Sequence, residues 1–142
     1  MNVFSLLDKT ARRYPARTAI FHGEAPVRDW ASLHERALRL AASLRAELPA
    51  GARVAVVAKN CPEYPEILFG IWAAGLVAVP VNVKLHEREV AQILKDAGAA
   101  LVFVSADPTA LREALAREDH SCGIIEIGAA DYGALLKAER AG

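Results

Sequence analysis

The residue types that bind phosphate occur in this chain without the spacing that phosphate binding needs. Gly123 and Gly128 have the glycine spacing of a phosphate-binding P-loop, but Ala129 and Ala130 follow where a lysine and a hydroxyl residue are required. The loop at residues 59–62 follows an apolar segment and holds no glycine that would admit a dinucleotide's pyrophosphate. The sequence therefore contains neither phosphate-binding motif.

Metal ligands and nucleophiles are scattered in the same way. No two histidines have a helix-face spacing with a third ligand nearby, and Cys61 and Cys122 lie far apart, so we predict no metal site and two free thiols in a reducing compartment rather than a disulfide. No serine has the flanking glycines of a nucleophile elbow. Local sequence thus predicts no catalytic residue. The histidines are His22, His34, His86 and His120.

Length and composition predict one globular domain. The chain has 142 residues, of which 54% are hydrophobic, and its 17 basic residues balance 17 acidic ones. A net charge of zero gives no electrostatic footprint for nucleic acid or an anionic membrane. Residues 67–83 are uncharged, but Gly75 and Pro80 interrupt them, so we predict a soluble core segment rather than a transmembrane segment. The first fifteen residues lack the apolar region of a signal peptide, and we expect a cytoplasmic protein.

Hydrophobic periodicity predicts alternating strands and helices from residue 53 onward. Such alternation with short connections favours right-handed crossovers and a mostly parallel sheet flanked by helices, which is an α/β fold. We predict a helix from Pro62 to Gly75, with Asn60 and Cys61 as cap candidates and Tyr64, Ile67, Leu68, Ile71 and Trp72 as its buried stripe. The predicted strands are residues 53–58, 76–81, 100–104 and 123–127, and the other helices are residues 87–97, 108–117 and 132–139.

The first fifty residues form a different pattern. We predict a helix over residues 2–14, a small hairpin of residues 18–22 and 27–28 around a turn at 23–26, and a long helix over residues 30–48 capped by Asp29. We expect these elements to pack against the sheet within one domain rather than to fold independently.

Four segments, taken in order, resemble the N-terminal part of the adenylate-forming superfamily, which includes acyl-CoA synthetases, nonribosomal-peptide adenylation domains and luciferases. The resemblance covers residues 3–127. The most specific segment is similar to the family element KAG-x-x-x-VP-[LV]-[ND]-P-[RK]-L, and its Val-Pro-Val-Asn form is closer to fatty- or aryl-acyl-CoA ligases. Three positions depart from the family pattern, with Val83 in place of Pro, Cys61 in place of Ser and His86 in place of Thr. The segments are WASLHERALRLAASLR (30–45), GARVAVVAKNCPEY (51–64), IWAAGLVAVPVNVKL (71–85) and EREVAQILKDAGAALVFV (87–104).

The resemblance implies a function for a longer enzyme. Its members use ATP and Mg²⁺ to convert a carboxylic acid into an acyl-adenylate and then usually transfer the acyl group to CoA. Their phosphate loop, ribose-binding Asp and C-terminal lysine come later in the chain and have no counterpart among residues 1–142. We therefore expect residues 1–142 to be the N-terminal portion of an AMP-binding domain, with no second domain, that is inactive alone and has the remainder of its own polypeptide as partner.

One functional position is implied by the resemblance. In some CoA ligases the basic residue of this element lies near the CoA phosphates, and here that position is Lys84; the alternative is a solvated lysine in a loop. Asn82 is expected to bond its own turn backbone, and Trp72 and Tyr64 to lie in the core.

Two other functions stay open at this point. The chain could be a non-catalytic α/β interaction module derived from that family, or an independent CoA- or nucleotide-binding domain that depends on Lys84 alone. A homodimer is compatible with either the enzyme fragment or the interaction module, because both expose apolar surface.

Overall fold

The computed structural model describes residues 3–138, and these fall into two compact units. We call the part made of residues 3–50, 60–75 and 135–138 the helical unit, and the part made of residues 51–59 and 76–134 the sheet unit. The predicted division into elements is confirmed, whereas the prediction of a single domain stays a prediction. Among the residues described, no helix is long and apolar enough to cross a bilayer.

The helical unit contains three helices and a hairpin. They are α1 (Phe4–Arg13), β1 (Thr18–His22), β2 (Ala25–Asp29), α2 (Trp30–Glu47) and α3 (Glu63–Ala73). The two strands pair antiparallel, and β2 begins two residues earlier than predicted because Gly23, at φ +63°, reverses the chain within a shorter turn. Asp29 caps α2 as predicted, since its carboxylate accepts a hydrogen bond of 2.7 Å from the Ser32 N–H.

Helices α2 and α3 approach each other closely at Gly70. A Cβ atom at this position would lie 2.8 Å from Leu40 Cδ2 and 3.1 Å from Leu40 Cβ. Leu40 is fully buried, so it has little room to yield. The glycine therefore sets the separation of the two helices.

Two predictions about α3 are wrong. The helix begins at Glu63, so Pro62 precedes the first helical residue rather than being it, and the Cys61 carbonyl accepts a hydrogen bond of 3.1 Å from the Tyr64 N–H. Its buried face is also rotated from the predicted stripe, since Ile67 and Ile71 are buried as expected but Tyr64, Leu68 and Trp72 are only half-buried. Glu66 and Gly70 complete the buried face instead.

The sheet unit is a four-stranded parallel sheet with three helices. It contains β3 (Arg53–Val57), β4 (Val77–Pro80), α4 (Glu87–Ala97), β5 (Leu101–Val104), α5 (Thr109–Arg117), β6 (Gly123–Glu126) and α6 (Ala130–Leu135). The strand order is β4-β3-β5-β6, which confirms the predicted parallel α/β arrangement. Helix α6 begins two residues earlier than predicted and ends at Leu135, and the predicted end at Glu139 lies outside the described residues.

The core of the sheet unit is apolar. Helices α4 and α5 cover one face of the sheet, where Val90, Leu94 and Leu115 pack against Ala55 and Val102. Phe103 points to the opposite face and meets the ring of Tyr132 in α6, at 6.1 Å between centroids.

Strand β4 is an edge strand, so this part of the predicted core segment of residues 67–83 is not buried. Within residues 3–138 it pairs with β3 alone, and Val77 is 46% exposed. The edge position explains why Pro80 is accommodated, because a proline cannot donate to a second neighbouring strand. The helix before β4 ends at Ala73, two residues before Gly75, and Gly75 has the predicted left-handed φ, at +74°.

Candidate functional site

The loop after β4 holds the position that the family resemblance singles out. Asn82 Oδ1 accepts a hydrogen bond of 2.9 Å from the Lys84 N–H, and the Leu85 N–H donates to the Asn82 carbonyl at 3.2 Å. The side chain of Asn82 thus bonds its own turn, as predicted. This turn fixes the backbone of Lys84 beyond the carboxyl end of β4.

The side chain of Lys84 is exposed and forms no ion pair with any residue that the structure describes. An unpaired cation beyond the carboxyl end of a parallel strand is available to an anionic ligand. A solvated lysine would look the same, so a role for Lys84 in binding CoA phosphate stays a prediction.

His86 caps helix α4 in place of the family's threonine. Its ring nitrogen Nδ1 accepts a hydrogen bond of 3.1 Å from the Arg88 N–H, and its backbone N–H donates to Glu89 Oε1 at 3.4 Å. The pair forms a capping box. Because Nδ1 must accept, the cap requires a ring that is unprotonated at that nitrogen. The substitution by histidine therefore keeps the start of α4 well defined.

An apolar cavity of about 130 Å³ lies at the carboxyl ends of the strands in the sheet unit. Val57 ends β3 and Val104 ends β5, while the loop after β4 contributes Val83 and Leu85. The first turns of α4 and α5 close the remaining sides, through Glu87, Val90, Ala110 and Leu111. Parallel α/β sheets bind ligands at this edge, so the cavity is a candidate binding site.

Neither cysteine is placed for nucleophilic chemistry. Both thiols are free. Burial raises the pKa of the Cys122 thiol to about 11, and burial, followed by the charge of Glu63, raises that of Cys61. Both groups are therefore protonated at neutral pH, and the thiolate is the reactive form. In residues 3–138 no cluster of histidine, cysteine or carboxylate side chains could hold a metal ion.

Sequence reasoning missed one charged cluster in the helical unit. Glu66 on α3 is fully buried, and its carboxylate receives hydrogen bonds from Arg36 Nε at 2.6 Å and Arg36 Nη2 at 3.1 Å. Arg28 Nε on β2 lies 3.3 Å from the same carboxylate. The available signal was that Glu66 precedes Gly70 by one helical turn on the buried face. We call Arg28, Arg36 and Glu66 the buried ion cluster.

The fold and this edge define a class of protein. A parallel α/β sheet whose candidate site lies at the carboxyl ends of its strands is typical of nucleotide- and cofactor-binding enzymes. The family described as AMP-binding enzyme matches residues 7–141, and the chain belongs to that family.

Relatives and a solved structure agree with this assignment. The long-chain-fatty-acid–CoA ligase of Haemophilus influenzae is 38% identical over 105 residues, which are 72% of this chain and 18% of the relative. A feruloyl-CoA synthase of an Amycolatopsis species is 40% identical over 96 residues, which are 67% of this chain and 19% of the relative. The N-terminal domain of FACL13 from Mycobacterium tuberculosis matches with a TM-score of 0.85 and 28% identity, over 99% of this chain and 37% of that chain.

The chain thus spans about a fifth of the length of these two curated relatives. Its fold corresponds to part of a longer N-terminal domain. Both points agree with the resemblance that the motif of residues 71–85 indicated.

Proposed function

We propose that residues 1–142 are the N-terminal portion of the AMP-binding domain of a cytoplasmic acyl-CoA synthetase. The longer enzyme activates a carboxylic acid, which we propose is a fatty acid, with ATP to an acyl-adenylate and transfers the acyl group to CoA. The remainder of the polypeptide supplies the phosphate loop, the Mg²⁺ site and the C-terminal lysine, so residues 1–142 alone form no adenylate.

The sequence identity to enzymes named as a CoA ligase and a CoA synthase carries this proposal. One relative at 38% identity is a long-chain-fatty-acid–CoA ligase, and another at 40% is a feruloyl-CoA synthase. Their names share CoA but differ in the acid. The similarity therefore supports the class of reaction. The proposal of a fatty acid rests on the first of these two relatives, because the Val-Pro-Val-Asn form of residues 79–82 fits fatty- and aryl-acyl-CoA ligases alike.

Within that enzyme we propose that Lys84 contacts a phosphate of CoA. Its backbone is held by Asn82 and its side chain is exposed. An exposed charge contact contributes about 0.2–1 kcal/mol. Lys84→Met should therefore raise the KM for CoA by about 1.4-fold to fivefold. The KM for ATP should not change.

The matched control is Lys95→Met, which removes a lysine from the last turn of α4. Steady-state kinetics of the longer enzyme should show the effect on CoA for Lys84 alone. The rate of acid-dependent ATP–pyrophosphate exchange, which needs no CoA, should be unchanged in both variants. An unchanged KM for CoA in Lys84→Met would show that Lys84 does not contact CoA. It would not contradict the proposed reaction.

A further inference from the structure

The cavity at the carboxyl edge of the sheet unit has apolar walls. Val83, Leu85, Val90, Val104 and Leu111 form most of them. At about 130 Å³ it is close to the roughly 150 Å³ of an engineered apolar cavity that binds benzene. An apolar group of four to six carbons would therefore fill it.

Two carboxylates lie at this cavity. Glu87 is the first residue of α4 and its side chain is 42% exposed. Asp107 precedes α5 and accepts a hydrogen bond of 2.8 Å from the Thr109 N–H. Hydrogen bonds from the Thr109 side chain and backbone lower the pKa of Asp107. Asp107 thus carries its charge at neutral pH, and no basic side chain is among the lining residues that the structure describes.

The N-termini of α4 and α5 oppose this negative charge. Each helix terminus is equivalent to about +0.5 of a charge, so two termini offset about half of the two carboxylates. Lys84 and Arg88 are exposed nearby but do not line the cavity. His86 does not line it either, although its Nε2 lies 3.5 Å from Glu87 Oε1. The balance at the cavity is therefore negative, and it favours a cation over an anion.

We propose that this cavity binds a short apolar group that ends in a cation, such as an alkyl-ammonium. The apolar stem lies between Val83, Val104 and Leu111, and the ammonium lies beside Glu87 and Asp107. Lysine side chains bury their stems in this way while the charged end stays near water. The group belongs either to a free amine or to a lysine of another segment of the polypeptide. The proposal does not depend on the adenylation chemistry.

Three ligands of equal stem length test the proposal. n-Butylammonium, n-butanol and n-butyrate are titrated into the 142-residue chain at low salt, with ¹H–¹⁵N chemical shifts as the readout. Dissociation constants for such small ligands should be on the order of millimolar. Butylammonium should bind at least about threefold tighter than butanol, and butyrate weakest, because partly exposed charges attract or repel only modestly. The shifts should centre on the amides of Leu85, Val90 and Leu111.

Variants separate charge from shape. Glu87→Gln with Asp107→Asn keeps the shapes and should abolish the preference for butylammonium while butanol still binds. The control pair Asp96→Asn with Glu113→Gln makes the same change of net charge on exposed positions of α4 and α5. It should retain the preference. Ala110→Leu should fill the cavity and weaken binding of all three ligands.

Two results would overturn the proposal: no saturable shift with any ligand, or butyrate binding as tightly as butylammonium. Repeating the titration on a longer polypeptide from the same gene identifies the source. Exclusion of butylammonium there indicates that a side chain already fills the cavity, and continued binding indicates a free amine.

Discussion

The two units of this chain are built on different kinds of buried interaction. In the sheet unit, the buried residues on the strands and on α4 and α5 are apolar. In the helical unit, the fully buried carboxylate of Glu66 on α3 pairs with Arg28 of β2 and with Arg36 of α2. Three elements thus meet at one charged cluster. The same chain therefore uses non-directional packing in one unit and directional ion pairing in the other.

This difference has an energetic meaning. Apolar contacts stabilise in proportion to area and do not select one orientation. A buried charge cluster adds little net stability, because desolvation offsets its Coulomb energy, but it penalises every arrangement that separates the charges. Our hypothesis is that the buried ion cluster fixes the orientation of the hairpin against α2 and α3, whereas the sheet unit gains its order from strand register.

The largest expected effect comes from removing the carboxylate. Glu66→Ala removes the carboxylate that Arg28 and Arg36 share while both arginines stay partly buried, and it should lower the free energy of unfolding by about 3–5 kcal/mol. Urea titration followed by circular dichroism measures this change. Glu113→Ala, an exposed position on α5, should change stability by less than about 0.5 kcal/mol.

Replacing the whole buried ion cluster tests the interpretation of that loss. Glu66→Met with Arg28→Met and Arg36→Leu should recover most of the stability, because apolar side chains of similar volume substitute well for buried ion pairs. A Glu66→Ala loss below about 1 kcal/mol would show that water already solvates the cluster and that the contrast between the units is wrong.

The sheet unit should respond to shape and not to polarity. Leu94 is fully buried on α4. Leu94→Ala should cost about 2–5 kcal/mol, whereas the volume-conserving Leu94→Met should cost less than about 1.5 kcal/mol. In the helical unit the similarly conservative Glu66→Gln should still cost more than Leu94→Met in the same urea titration. Equal losses for these two variants would contradict the distinction.

Replacing a helical glycine by alanine should destabilise the chain at Gly70 but not at Gly133. Gly70→Ala places a Cβ 2.8 Å from Leu40 Cδ2 and should destabilise by about 1 kcal/mol after its gain in helix propensity. Gly133→Ala in α6 meets no atom within 4 Å, so it should be neutral or stabilise by up to about 1 kcal/mol. Thermal melts of both variants measure the signs. Stabilisation by Gly70→Ala would mean that α2 and α3 separate freely.

The last effect is confined to alkaline pH and arises in the sheet unit. The pKa of Cys122 is raised from 9.0 to about 11 in the folded chain, so the folded state holds its proton when the unfolded state has lost it. Stability from this group is therefore complete below pH 9 and declines as pH rises towards 11. Melting temperatures of the native chain should fall more over this range than those of Cys122→Ala. Parallel curves for the two proteins would contradict the assignment.

Local signals in the sequence predicted most elements of both units. Asp29 and Gly75 could be recognised as signals of helix ends because the hydrogen bonds of a cap lie within a few residues. The buried ion cluster could not, since Arg36 and Glu66 are 30 residues apart and helical periodicity places charges on the solvent face. The edge position of β4 depends on strand order, which periodicity does not contain. The role proposed for Lys84 came from the family resemblance. The cavity beside it could not be predicted, because four segments that are separate in the sequence line it.

The central claim is that residues 1–142 belong to an acyl-CoA synthetase whose catalytic loops they lack. Replacing the corresponding N-terminal segment of the Haemophilus influenzae long-chain-fatty-acid–CoA ligase with this chain tests it most directly. Fatty-acid-dependent ATP–pyrophosphate exchange should be absent from the 142-residue chain alone and present in the chimera. A chimera that melts cooperatively at the temperature of the parent ligase, yet shows no exchange with fatty or aryl acids, would contradict the claim and favour a non-catalytic α/β module.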